Sequence, residues 1–477
     1  MMKPFSWDRG LARQGQFDGK FLIGVLTTGI YCLPSCAARP PKPENVRVFK
    51  TEDEAKAAGL RACKRCRPDL FYRGEDEDIA LFEGLAARVR SAPQDYPGVP
   101  ALARSCGVSQ TKLGDLFRAH AHLTPAQWLR RERVHRAAQL LLEGEDKVVD
   151  IGFASGFESE SVFHRQFLAL ARMTPGAYRA LKGASVWLLH LPAGYRAQEI
   201  FAYHGRDPES PCERVEGKRL FKALMTADGA AVLEMALEPE GAWCRVHAPV
   251  KMPAGTMATL HGASLKLLGL TSDVTAFETR ASRDAKLAAI VGRRRGLRVP
   301  LMATAFDALT WAIIGQQINV KFASALRREI LHLAGEPAGG GLCTHPSPER
   351  VADLSPALLQ TRRFSRSKAD YLIGAATEVA NGRLDIDALT EGSARAAETK
   401  LKAMRGIGTW TARYVMLRTG FADSAPVGDA ALAAALQRVH SLDARPDQDE
   451  TERMMGAFSP HRSLATTHLW ASLRESA

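Results

Sequence analysis

Leu401-Lys402-Ala403-Met404-Arg405-Gly406-Ile407-Gly408-Thr409-Trp410-Thr411-Ala412 reads as a helix, a glycine hairpin and a second helix. Gly406 and Gly408 let the backbone turn sharply and approach an anion, whose charge would meet the amides opening the next helix. A Gly-x-Gly between helices is common by itself. Here Asp429 follows 21 residues after Gly408, within Pro426-Val427-Gly428-Asp429-Ala430-Ala431-Leu432, at the expected start of another helix. An aspartate there is either a helix N-cap or a carboxylate placed for chemistry.

Taken together, hairpin and aspartate resemble the helix-hairpin-helix, Gly/Pro-Asp family of DNA glycosylases. Phe306-Asp307-Ala308-Leu309-Thr310-Trp311-Ala312-Ile313-Ile314-Gly315-Gln316-Gln317-Ile318 further resembles its 3-methyladenine DNA glycosylase II (AlkA-type) branch. The resemblance spans roughly residues 185–472 and is strongest after 300. It implies an enzyme that takes a damaged nucleotide out of the stack and hydrolyses its N-glycosidic bond. An alkylated purine already carries positive charge, so it leaves with little acid assistance. Asp429 would stabilise the developing sugar cation and orient or deprotonate the attacking water. Trp410 and Tyr414 match pocket positions of the family and Tyr203 aligns more weakly with another; a flat cationic base suits such rings. Aromatics at helical spacing also serve as plain core.

Two absences and three departures refine that expectation. Relatives that cut the backbone carry a lysine where Trp410 stands, so this enzyme is expected to leave an abasic site. The last cysteine is Cys343, which excludes a carboxyl-terminal iron–sulfur cluster. Gln317 stands at the family's leucine wedge, His461 stands near a pocket tryptophan of one member, and Arg405 replaces the usual hairpin proline.

Upstream, residues 184–295 read as mixed strand and helix, with strands at 186–189 and 231–235 and a helix over Val274–Ile290. Arg293-Arg294-Arg295 reads as a solvated linker turn, and from 300 onward the pattern is helical to the end. Pro211-Cys212-Glu213-Arg214 lacks the histidine that would activate a thiol acceptor, so it carries no chemistry in this reading.

At the other end, Cys32, Cys36, Cys63 and Cys66 form a Cys-x3-Cys and Cys-x2-Cys framework, between a strand at Phe21–Leu26 and a short helix at Glu52–Ala58. Two such pairs can converge on one tetrahedral zinc; two disulfides are the alternative. The start Met1-Met2-Lys3-Pro4-Phe5-Ser6-Trp7 has no apolar signal core and no run reaches membrane-spanning length, so a reducing cytoplasm is expected, which favours zinc. An acidic linker, Gly74-Glu75-Asp76-Glu77-Asp78, follows, and 79–180 is helical by periodicity.

Within that helical stretch Val99–Phe117 has helix-turn-helix spacing. Ala103 is small at a helix crossing, Gly107 permits the turn, and Ser109 caps a helix presenting Gln110, Thr111 and Lys112. Ile151, Ala154 and Gly156 repeat the first helix and turn before Phe157–Phe167, and Leu123–Arg130 is echoed by Met173–Arg179 at a displacement of 50 residues. The tandem resembles the AraC/XylS-type DNA-binding domain. That resemblance implies DNA readers near Gln110–Lys112 and within Glu158–Arg165, including Ser161, His164 and Arg165.

With the cysteine framework, residues 1–180 resemble the amino-terminal half of the Ada-type adaptive-response regulator, through Thr27-Thr28-Gly29-Ile30-Tyr31-Cys32-Leu33-Pro34-Ser35-Cys36 and Arg61-Ala62-Cys63-Lys64-Arg65-Cys66-Arg67-Pro68. The resemblance implies that Cys32 takes a methyl group from a DNA methylphosphotriester, that Cys36, Cys63 and Cys66 complete the zinc site, and that Thr28, Arg39 and Arg61 contact the backbone. Four thiolates on Zn²⁺ leave a formal charge of −2, so converting one to a thioether removes negative charge and strengthens DNA binding. A zinc site that only holds the fold is the alternative.

The balance of 64 Lys and Arg against 52 Asp and Glu, a net charge of +12, favours a polyanionic partner. The 477 residues are expected to form a multidomain α+β protein: a zinc-binding methyl-acceptor domain (1–73), a double helix-turn-helix (79–180), an AlkA-type N-terminal domain (184–295) and a helix-hairpin-helix glycosylase domain (296–477). One Zn²⁺, double-stranded damaged and promoter DNA, RNA polymerase as a candidate partner and a monomeric state complete the expectation. The rival is a regulator whose carboxyl half binds DNA without catalysis.

Overall fold

The computed structural model describes residues 17–73, 76–283, 285–292 and 294–474. Met1–Trp7, Gly74, Glu75 and Arg293, which entered the sequence reading, lie outside the described residues. The chain forms two compact units, Met1–Leu81 and Phe82–Ala477.

In the first unit, β1 (Leu22–Val25), β2 (Ile30–Cys32), β3 (Val46–Phe49) and β4 (Arg61–Ala62) form one sheet in the order β3-β1-β2-β4. The strand expected over 21–26 is thus present, shorter at both ends. Gly24 in β1 is a packing requirement, because a Cβ there would lie 2.4 Å from the Phe49 ring and 2.5 Å from Leu60. Helix α1 (Glu52–Ala57) starts where expected, its N-cap Thr51 Oγ1 accepting from Glu54 N at 3.2 Å. Helix α2 (Pro68–Arg73) follows the second cysteine pair.

The second unit takes over within α3 (Glu77–Ser91). Next come α4 (Val99–Ser105), α5 (Gln110–His120), α6 (Pro125–Glu143), α7 (Val148–Ala154), α8 (Glu160–Ala171) and α9 (Pro175–Arg179). The repeat seen in the sequence is a repeat of caps. Ser109 and Ser159 accept from Lys112 N and Val162 N, while Thr124 and Thr174 cap helices that open with Pro125 and Pro175. Gly107 and Gly156 both turn at positive φ, +66° and +89°.

Five antiparallel strands then form a sheet ordered β5-β9-β8-β7-β6: β5 (Val186–Leu189), β6 (Glu213–Glu216), β7 (Arg219–Thr226), β8 (Gly229–Glu238) and β9 (Gly241–His247). Helices α10 (Ala197–His204) and α11 (Ala254–Leu267) complete this part. Its core is continuous with the second helix-turn-helix repeat: Phe163, Phe167, Tyr178 and Leu181 share one buried cluster with Trp187, Leu233, Met257 and Leu260.

Three expectations are corrected. The helix over 274–290 is two helices, α12 (Thr275–Ala281) and α13 (Ala285–Val291); Ser282 Oγ donates to Thr279 O at 2.8 Å, a local bond that competes with helix continuation. The chain after 300 is not wholly helical, because β10 (Pro337–Gly339) and β11 (Leu342–Cys343) form a hairpin whose Gly339, Gly340 and Gly341 all have positive φ. Arg294 is not a solvated turn residue: it is buried and donates to Ile290 O at 2.8 Å.

The remaining helices build the carboxyl-terminal part: α14 (Ala305–Ile314), α15 (Val320–Ala334), α16 (Pro348–Ala352), α17 (Pro356–Thr361), α18 (Arg366–Ala380), α19 (Ala394–Ala403), α20 (Thr409–Thr419), α21 (Ala430–His440), α22 (Gln448–Gly456) and α23 (Arg462–Arg474). Helix α14 is buried along its whole length, and α20 packs against it. The glycine hairpin connects α19 to α20.

Candidate active site and metal centre

The hairpin is built as its glycines require. Gly406 has φ +83°, and a Cβ on it would lie 2.3 Å from the Tyr371 ring, so both conformation and packing demand glycine. Gly408 caps α20 with open space on its side-chain face, and both it and Arg405 are exposed. Gln316 Nε2 donates to Gly406 O at 2.9 Å and to Thr411 Oγ1 at 3.0 Å. These bonds tie the hairpin to the turn after α14, where Gln317 stands exposed with φ +57°.

Asp429 stands at the start of α21. It is the N-cap of α21, with Oδ1 accepting from Leu432 N at 2.7 Å. Oδ1 also accepts from Trp470 Nε1 at 3.0 Å, and Oδ2 accepts from Trp410 Nε1 at 3.3 Å. An ionised carboxylate offers about four lone-pair sites. Three are engaged by donors that fix its orientation, and the group is only half-buried, so one face is left for chemistry.

An aromatic cluster surrounds it. The Trp410 and Tyr414 ring centroids lie 5.4 Å apart, and those of Tyr414 and Trp470 6.1 Å apart. Trp311 Nε1 donates to Tyr414 OH at 3.1 Å. Tyr203, from α10, joins the cluster through two cations: Arg206 and Arg418 lie 4.2 Å and 4.3 Å from its ring centroid. Arg418 also donates to Pro300 O at 2.9 Å and lies 5.3 Å from both Tyr414 and Trp470. Sequence reasoning missed Trp311, Arg418 and Trp470, although Trp311 lies inside a quoted motif. His461 is not in this cluster; it packs 5.9 Å from Phe277, and the nearby indole comes from Trp470.

Cys212 lies outside this site. It is fully buried beside Lys222 Nζ at 3.2 Å, and its thiol is pushed up to about 12, by burial first. Such a thiol is inert at neutral pH. Lys222 belongs to a sealed ion network with Glu213, Asp307 and Arg327, joining the sheet to α14 and α15.

In the first unit none of the cysteines is in a disulfide. The sulfurs of Cys32, Cys36, Cys63 and Cys66 all lie within 4.8 Å of one another. A tetrahedral ion with bonds of about 2.3 Å needs sulfurs about 3.8 Å apart, so the four fit one zinc. Leu33 N and Arg65 N donate to Cys66 Sγ and Cys63 Sγ, each at 3.4 Å, as backbone amides do to metal-binding thiolates. A hydrogen bond from Cys32 first lowers the Cys66 thiol to about 6, while Cys32 itself is raised through that same bond and by burial. Thr28, Arg39 and Arg61 are exposed in this unit, Arg61 on β4 directly beside β2.

In the helix-turn-helix region Gln110, Thr111 and Lys112 open α5 in exposed positions. Ser161 and Arg165 are exposed near the start of α8, and His164 is half-buried there, 3.8 Å from Glu160. Gln110, Thr111, Lys112 and Ser161 sit on first turns of their helices, and His164 and Arg165 on the second turn of α8.

Comparison with known proteins adds the family. The metal binding domain of Ada matches residues 6–69, a helix-turn-helix domain matches 102–181, and the HhH-GPD superfamily of base excision DNA repair proteins matches 310–460. The chain is 29% identical to a probable bifunctional transcriptional activator/DNA repair enzyme AlkA of Mycobacterium tuberculosis, over 97% of this chain and 95% of that protein. It is 32% identical to a DNA-3-methyladenine glycosylase of Bacillus subtilis, over 43% of this chain and 69% of that one. In fold it is similar to a 3-methyladenine DNA glycosylase from Archaeoglobus fulgidus, with a TM-score of 0.54 and 21% identity over 61% of this chain and 99% of that chain.

Proposed function

Since the chain belongs to the DNA-3-methyladenine glycosylase family and carries an Ada-type zinc domain and a helix-turn-helix domain before it, we propose that one polypeptide senses alkylated DNA, regulates transcription and excises alkylated purines. The work divides over residues 1–73, 79–180, 184–295 and 296–477.

Asp429 is the excision carboxylate. With the damaged nucleotide out of the stack, the C1′–N bond breaks and its electron pair leaves with the cationic purine, which departs neutral. Asp429 stabilises the sugar cation, water adds at C1′, and the water's proton passes to the carboxylate. Trp410 and Trp470 hold that carboxylate, Tyr414 and Tyr203 wall the pocket, Gln317 fills the vacated stack, and Gly406 and Gly408 receive a backbone phosphate. The observation that carries this reading is the Asp429 carboxylate, oriented by two indoles beside a DNA-type hairpin.

Cys32, Cys36, Cys63 and Cys66 hold the zinc, and the bound ion keeps thiolates deprotonated at neutral pH. Cys32 Sγ attacks the methyl carbon of a methylphosphotriester. A C–S bond forms, the C–O bond breaks, and its electron pair restores the phosphodiester anion. Thr28, Arg39 and Arg61 seat the backbone. Gln110, Thr111 and Lys112, with Ser161, His164 and Arg165, read promoter DNA; two reading helices in one chain support a monomer, with RNA polymerase as the regulatory partner.

Methylated DNA incubated with wild type and Asp429→Asn tests the reading. Asparagine keeps the N-cap, so the variant should fold and bind DNA while base release falls by at least ~100-fold. Equal release by both proteins removes Asp429 from the mechanism; no release by wild type leaves only a regulator. Labelled methyl recovered on Cys32 tests the transfer.

A further inference from the structure

We propose that His120 and His122 of the helix-turn-helix region are positioning residues for base excision, gripping the two segments that deliver the hairpin and Asp429. The proposal rests on Asp429 as the excision carboxylate.

His120 ends α5, the helix whose other end carries Gln110, Thr111 and Lys112. Its ring is buried, and Nδ1 lies 2.7 Å from Ser393 Oγ. Ser393 is the N-cap of α19, accepting from Ala396 N at 3.2 Å, and α19 runs directly into the hairpin. The same foothold is held from α3. Arg90 donates to Glu391 O at 2.8 Å and pairs with the Glu391 carboxylate at 3.2 Å. A Cβ on Gly392 would sit 3.2 Å from Glu83 Oε1, so this segment lies flush against α3.

His122 grips the second segment. Its Nδ1 accepts the Asp423 N–H at 3.3 Å, and its ring lies 6.4 Å from Phe421. Asp423 is itself a hub: Oδ1 accepts from Arg462 Nε at 2.8 Å and Oδ2 from Ser459 Oγ at 2.8 Å. The next residue, Ser424, donates to Arg413 O on α20 at 2.8 Å, and the chain then runs straight to Asp429. Burial holds His122 neutral, with a pKa lowered to about 4, which keeps Nδ1 an acceptor. His122 adopts φ +56°, a conformation that non-glycine residues rarely hold without a reason in the surrounding structure.

The two grips act on different steps. His120 sets the helix that presents the hairpin to DNA, so its loss should raise the half-saturating DNA concentration. His122 sets the approach to Asp429, so its loss should lower the maximal single-turnover rate.

The full-length chain with His122→Asn and with His122→Gly separates hydrogen bond from backbone strain. Asparagine tolerates positive φ and places an acceptor oxygen near the Nδ1 position; glycine relieves the strain but has no acceptor. The expected result is near wild-type excision for Asn and a maximal rate about 10-fold lower for Gly, with faster hydrogen exchange at the Asp423 amide in Gly alone. His120→Asn and His120→Ala should show the matching split in half-saturating DNA concentration. Glycine and alanine variants that excise like wild type, or equal losses in the Asn and Gly variants, overturn the proposal. A wild type that releases no base instead defeats the excision reading beneath it.

Discussion

The Trp470 indole N–H donates to Asp429 Oδ1 at 3.0 Å, joining the last helix to the N-cap of α21. The partner of this bond is a charged carboxylate, so the bond is stronger than one between neutral groups. Trp470→Phe keeps an aromatic ring, smaller than the indole, but removes the donor. Base release should fall about 10-fold while DNA binding stays within about twofold, as read by single-turnover kinetics and a binding titration.

Gln317 projects from a left-handed turn tied to the hairpin by Gln316. Glycine takes that backbone at no steric cost but fills no gap in the duplex. Gln317→Gly should slow excision about 10-fold when the lesion is correctly paired, and less when it is mispaired and already partly unstacked. Equal losses on both duplexes would remove the wedge role.

The buried ion network of Glu213, Lys222, Asp307 and Arg327 joins sheet to helices. Lys222→Met removes one of the two cations paired with these buried carboxylates and leaves Arg327 as the other. The cost should be about 3–5 kcal/mol in denaturant unfolding. Burial pushes Glu213 and Asp307 up, but Arg327 and Lys222 pull both carboxyls below the ordinary range. Their contribution is therefore full above about pH 4 and is lost as pH falls through the lower folded values, so the variant should unfold at a higher pH on acid titration.

Burial lowers His204 and His468 to about 3 and His261 to about 4. These folded values lie below the unfolded value of about 6.5, so the stability they confer is full above that pH and lost as pH falls towards them. Lowering the pH from 7 to 5 should cost roughly 1–2 kcal/mol per histidine. Urea midpoints of the second unit should fall accordingly; an unchanged midpoint would mean the rings are not held neutral.

Stripping the metal should act on one unit only. Chelation at neutral pH should remove about one zinc per chain, unfold residues 17–73 and end methyl transfer, because the first unit has a small core around Tyr31 and Phe49. Base release should persist, since each group about Asp429 belongs to the second unit. Parallel loss of both activities on chelation would contradict that independence.

The features legible in the sequence were those fixed by a few neighbouring residues. Gly406 and Gly408 announce a tight turn, Ser109 and Ser159 announce caps, and paired cysteines announce a shared ligand, whatever lies elsewhere in the chain. Sheet strands at 213–226 and 241–247 escaped notice because their burial is set by long-range pairing. The run over 274–290 looked helical because periodicity carries no sign of a side-chain bond back to Thr279.

What the sequence by itself determined is the kit: a four-cysteine cluster, tandem helix-turn-helix segments, a glycine hairpin and an aspartate at a fixed distance behind it. Local backbone geometry and ligand spacing specify each of these within a few tens of residues. Only the tertiary structure decided that Trp470 orients the aspartate, that Arg206 and Arg418 flank Tyr203, and that His120 and His122 bond to Ser393 and Asp423. Apart from Arg206, three residues from Tyr203, those contacts join residues 41 to 301 positions apart, and no local rule ranks one such pairing above another until the cores have packed.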